Sequence, residues 1–148
     1  MKKLLPILLS LFLFSCSTDE DQKTLEQGIE GTWVLFKTLG PDSEKTGSEM
    51  DFQETYTLNE DGSFTKTRDE EGEEIQSTGT FEIVPDKGEA VTRESQVFLI
   101  LKLQHDSDEL TTSCEGDDTI EYLHFRSHLL ENQHDACDGL RLMYEKEE

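Results

Sequence analysis

The chain has 148 residues, 33% of them hydrophobic, and carries 34 Asp and Glu against 13 Lys and Arg, a formal net charge of −21. Such a surface repels nucleic acid and anionic lipid head groups, because phosphate binding needs clustered Lys and Arg. The length suits one domain, so a partner or ligand has to be met by a single module.

The first element is a leader. Lys2 and Lys3 precede a mostly apolar run over 4–14, followed by a small residue and a cysteine. A basic start, an apolar stretch of about 7–15 residues and a small residue at the cut make a secretory signal. The run is too short to span a bilayer, which takes roughly 20 residues. Leu13-Phe14-Ser15-Cys16 resembles the lipobox of bacterial lipoproteins, cut just before the cysteine. The resemblance implies a signal peptide over 1–15 and a Cys16 that carries a diacylglyceryl group and a third acyl chain such as palmitate. More than one chain is what stable anchoring requires, at about 0.8 kcal/mol per buried CH₂. Removing a leader with two lysines and no acids leaves 133 residues with a net charge of −23.

Residues 16–28 read as a lipidated cysteine and a polar, acidic tether, since only Leu25 is apolar between Ser17 and Gly28. Asp19-Glu20-Asp21 just after the cysteine resembles the surface-export signal of Bacteroidota lipoproteins, which implies an outer-membrane lipoprotein displayed outward. The bland alternative is a solvated linker.

The remainder, 29–148, reads as short strands separated by turns. Thr32-Trp33-Val34-Leu35-Phe36-Lys37 is β-prone. Phe52, Tyr56 and Leu58 alternate with polar Gln53, Thr55 and Thr57, which predicts a strand with one apolar face. Asn59-Glu60-Asp61-Gly62 predicts a hairpin turn, because Asp-Gly supplies the positive φ such turns need. Phe64, Lys66 and Arg68 share a face of the returning strand, 69–74 has the composition of a turn or loop, and a strand over 78–84 ends at Pro85. Residues 96–104 form the most apolar run, with apolar residues on both faces at first, as in a strand covered on both sides. Residues 119–126, 129–130 and 140–145 supply the rest. No sustained helical period appears, and many short strands with regular turns predict an all-β sandwich or barrel of about eight strands, mostly hairpin-linked.

With that order in view, Gly31-Thr32-Trp33, the Tyr56-Thr57-Leu58 and Asp61-Gly62-Ser63-Phe64 hairpin, Gly79-Thr80-Phe81 and the closing Met143-Tyr144-Glu145-Lys146 resemble the lipocalin-like small β-barrels of Bacteroidota lipoproteins. The resemblance implies an antiparallel up-and-down barrel with Gly31 and Trp33 at one end. It further implies a cation, for which Arg141 is the candidate, stacked on the indole. An eight-stranded barrel either fills its interior or holds one small ligand. Phe52, Tyr56, Phe81, Leu99 and Leu101 are the candidate interior residues, which could fill a core or line a cavity.

Other chemistry is less well supported. With Cys16 assigned to lipid, Cys114 and Cys137 are an even count in an oxidising compartment, which favours a disulfide. It would close a loop of about two dozen residues, worth roughly 3 kcal/mol. A metal site pairing them with His134 lacks the short C-x-x-C spacing. His124, Arg126 and His128 would share one face of an extended strand, with the imidazoles about 13 Å apart, too far for one metal. The acidic loops at 59–63, 69–74 and 115–118 do not match an EF-hand. No nucleophile elbow, zinc-protease or catalytic cysteine signature is present, so neither catalysis nor a cofactor is expected. Two functions follow: an envelope binding protein holding a small apolar or amphipathic ligand, or a packed barrel that engages an envelope protein.

Overall fold

A computed structural model of the chain describes residues 28–84, 99–112, 117–132 and 139–148. Nine strands follow one another: β1 (Gly31–Leu39), β2 (Glu44–Thr46), β3 (Gln53–Leu58), β4 (Ser63–Glu70), β5 (Glu73–Val84), β6 (Leu99–His105), β7 (Ile120–Arg126), β8 (Leu129–Asn132) and β9 (Arg141–Lys146). Each of β3 to β8 pairs antiparallel with the next, and β1 pairs with both β3 and β9. This closes an eight-stranded antiparallel barrel, one of the two all-β architectures that strand count and turn spacing leave open. The ninth strand, β2, lies outside that ring and pairs with the last residues of β1, Lys37–Leu39.

Turn chemistry sets the hairpins. At the β3–β4 turn Gly62 has φ 80°, and Asp61 Oδ1 accepts the Ser63 backbone N–H at 3.0 Å and its hydroxyl at 2.6 Å. Those two bonds, the hydroxyl's first, hold the exposed Asp61 carboxyl below its ordinary range. The β4–β5 connection is shorter than its composition implies. Only Glu71 (φ 57°) and Gly72 (φ 86°) lie between the strands. Two positive-φ residues make the tight turn that matches strand twist, so the ladder runs through Asp69 and Glu73 where a loop was expected. Ser127 (φ 50°) and His128 (φ 67°) do the same between β7 and β8. That turn removes His128 from the face it would share with His124 and Arg126 in a continuous strand.

Alternation sorts the faces. Trp33 and Leu35, Tyr56 and Leu58, Phe64, Leu101 and Leu103, Leu123 and Phe125, Leu130, and Leu142 and Tyr144 are buried inward from seven strands in one core. Burying such a set at about 25 cal/mol per Å² is the main stabilising term of the fold. Gly79 is an inward position where a side chain does not fit: a Cβ there would lie 2.0 Å from the Gln104 carbonyl oxygen and 2.8 Å from Phe64. Its absence lets β5 approach β6 closely. The barrel has an end where β1 starts and β9 finishes, holding Trp33, and a far end where β1 finishes and β3, β7 and β9 start.

Candidate functional site

At the Trp33 end, the indole Nε1 donates to the Ile29 carbonyl at 2.7 Å, and the ring meets Phe125 edge-on at 5.9 Å. The cation over the indole is Lys146, 5.9 Å from the ring centroid, with its Nζ also donating to the Gly28 carbonyl. Gly31 (φ 118°) leaves room for it, since a Cβ there would lie 2.9 Å from Lys146 Cε. Register explains why Arg141 does not take this place. β9 runs antiparallel to β1, so Trp33 faces Lys146 whereas Arg141 faces Leu39 at the far end. There Arg141 pairs with Glu131 at 2.5 Å.

The candidate interior residues divide in two. Tyr56, Leu101 and Leu99 are buried in the core, while Phe52 and Phe81 are half-buried and pack against it with Met50 and Ile83. The three cysteines, Cys16, Cys114 and Cys137, and His134 lie outside the described residues, as does the leader. Of the acidic loops, the described carboxylates Asp61, Asp69 and Asp117 accept hydrogen bonds from their own turns. Among the described residues no three His, Cys, Asp or Glu side chains converge on a cation position.

The far end holds a set of charges inside the barrel. Glu54, Lys66 and Glu121 occupy inward positions of β3, β4 and β7, and the Lys66 side chain is 0% exposed. Lys66 Nζ lies 3.1 Å from Glu121 Oε1, 3.3 Å from Glu54 Oε1, and donates to the Leu110 carbonyl at 2.8 Å. It also sits 4.9 Å from the centre of the Tyr56 ring. The ammonium donates to the Leu110 carbonyl and to both Glu121 oxygens, and lies at ion-pair distance from Glu54.

Each carboxylate is further satisfied. Glu121 accepts from the Tyr56 hydroxyl at 2.9 Å, from His105 Nε2 at 2.9 Å and from the Thr112 hydroxyl. His105 Nδ1 in turn lies 2.9 Å from the Ser77 hydroxyl, which extends the chain to β5. Glu54 accepts from the Tyr144 hydroxyl at 2.5 Å and from Arg68 Nε at 2.7 Å, and the Arg68 guanidinium stacks 4.2 Å over Phe52. Two carboxylates, Glu54 and Glu121, therefore face two basic side chains, Lys66 and Arg68.

Electrostatics follow from this geometry. Burial alone pushes the Glu121 carboxyl upward, but the Lys66 ammonium and the bonds from His105 and Thr112 outweigh it and hold the group at about 2. Burial, then the neighbouring carboxylates, push the Tyr56 and Tyr144 phenols well above their ordinary value, so both remain donors. A leash from the β6–β7 connection closes this end: Leu110 is buried over the cluster, and Thr111 and Asp106 tie the connection to Asp118 and Thr78.

The signal for this cluster was present but easily passed over. Position 54 falls in the apolar phase of Phe52, Tyr56 and Leu58, Lys66 in that of Phe64, and Glu121 in that of Leu123 and Phe125. A charge in the inward phase of an amphipathic strand is an unusual placement unless it is paired inside. Comparison with family models, with curated proteins and with solved structures returns no match to this chain.

Proposed function

We propose that this chain is a lipid-anchored envelope protein whose barrel is packed solid and acts as a protein-interaction module. The observation that carries the reading is the occupancy of the interior. Trp33, Tyr56, Phe64, Lys66, Leu101 and Tyr144 are each buried to within 2% of complete, and the inward charges at the far end are partnered by one another. A small-molecule site keeps convergent polar groups available to a ligand; here those groups are already consumed. Anchoring through Cys16 and outward display rest on the lipobox and the acidic residues that follow it.

The small-ligand alternative draws on one observation, the half-buried Met50, Phe52, Phe81 and Ile83 at the margins of the core. Native mass spectrometry separates the two. Protein isolated from its own host is expected at the mass of the acylated chain, alone or with another polypeptide. A persistent additional mass of a few hundred daltons, absent after denaturation, would establish the ligand reading instead. Labelled fatty acid is expected to enter the wild type and not Cys16→Ser; equal labelling of both would remove the anchor.

A further inference from the structure

The β4–β5 hairpin reaches beyond the far end of the barrel. β5 begins at Glu73, yet its pairing with β6 starts only at Gly79, with one more bond from the Asp106 N–H to the Thr78 carbonyl. Thr78 therefore points its backbone toward the β6 side. Backbone direction alternates along a strand, so Glu74 and Gln76 point their N–H and C=O groups the same way, away from β4. Both residues are exposed, and their side of β5 has no partner strand among the described residues. The other short margin, β2, is three residues long, is followed at once by a 3-10 turn, and carries a Lys45–Asp51 pair at 2.7 Å. An unpaired run of backbone groups is a template for strand addition.

The side chains on this arm determine what can add. Asp69 stands opposite Glu74 and Glu70 opposite Glu73, two like-charge pairs across one ladder, with Glu71 at the tip. Like charges directly opposite destabilise a hairpin, and none of these five carboxylates forms an ion pair among the described residues. The two cations nearest in sequence, Lys66 and Arg68, are committed to Glu54 and Glu121. A second copy of this chain would bring five more carboxylates to the same ladder, which excludes self-pairing.

From the free backbone edge and its uncompensated charge we infer that β5 over Glu73–Gln76 receives an extended, Lys- or Arg-bearing segment of a partner protein as an added strand. This rests on the interaction-module reading and assigns it a surface and a partner chemistry. The added strand pairs its backbone with Glu74 and Gln76, and its basic side chains relieve the opposed carboxylates.

The test uses the full processed chain in detergent and a fluorescent eight-residue peptide of alternating Lys and Val. Titration is expected to show saturable binding, weakened at least about tenfold by Gln76→Pro, which deletes an outward N–H without touching the β4 ladder. It is expected to weaken similarly in Glu73→Lys/Glu74→Lys, and a Glu-Val peptide is expected not to bind. Should Gln76→Pro misfold, amide exchange on the wild type decides alone: the N–H groups of Glu74 and Gln76 slow at least about tenfold with the peptide. Absence of binding, equal binding by Gln76→Pro, or unchanged exchange at those amides overturns the inference. Photo-crosslinkers in cells, at position 76 and on the outer faces at Thr57 and Tyr122, distinguish the two levels. Adducts at Thr57 or Tyr122 but not at 76 overturn the edge and leave the module; adducts at none overturn the module itself.

Discussion

Replacing Glu121 by Gln removes one charge from the barrel interior while keeping size and much of the hydrogen bonding. The folded carboxyl sits at about 2 against an ordinary 4.5, and holding it there corresponds to about 3 kcal/mol of stabilisation of the charged form. The direct attraction between Lys66 and Glu121 at 3.1 Å is about 5 kcal/mol at an effective dielectric of about 20, offset in part by desolvation, so the two magnitudes agree. Glu121→Gln is therefore expected to lose about 3 kcal/mol at pH 7, a large share of the roughly 5–15 kcal/mol that holds a domain folded. Because the folded carboxyl is depressed, its contribution is complete above about pH 4.5 and is lost as pH falls toward 2. Urea unfolding of wild type and variant from pH 7 to pH 2.5 measures this. The two stabilities should differ by a constant amount down to about pH 5 and converge below it. A difference under about 1 kcal/mol at pH 7, or one unchanged at pH 3, would refute a charged, Lys66-paired Glu121. Salt separates this pair from a surface one: 0.5 M NaCl should leave the difference nearly intact, since buried pairs are weakly screened.

Gly79→Ala forces a Cβ onto the Gln104 carbonyl and Phe64, and a loss of at least about 3 kcal/mol is expected in the same denaturant assay; a loss under about 1 kcal/mol would mean that β5 and β6 are not packed this closely. Tyr56 and Tyr144 are expected not to ionise before the barrel unfolds in alkali, so their phenolate absorbance should rise together with loss of the β-sheet circular dichroism signal. Cys114 and Cys137 should resist alkylation in the native protein until a reductant is added, and rapid modification without reductant would remove the disulfide expected from their count.

Local order was legible in the chain because it depends on neighbours. Period-two alternation around Tyr56 and Phe64, with Asp61-Gly62 between them, specifies two strands and their turn before any distant contact forms. The β4–β5 turn lies within the segment whose composition predicts it but is shorter, because Glu71 and Gly72 alone supply the two positive φ angles that close it. The break between 126 and 129 is legible as well, but Ser127 and His128 do not advertise positive φ, so a straight continuation that puts His128 on the face of His124 is equally easy to draw.

By itself the sequence determined the all-β class of the fold and its antiparallel hairpin order, since both follow from alternation, turn residues and chain order. Only the tertiary structure decided which charges meet. Lys66 and Glu121 stand 55 residues apart, and Tyr144 reaches Glu54 across 90. Barrel closure sets those encounters through the register of β1 with β9, which also gives Trp33 the cation of Lys146 and leaves Arg141 to Glu131. Register across a closed sheet is a property of the whole ring, because each pairing constrains every other, and no stretch of neighbouring residues encodes it.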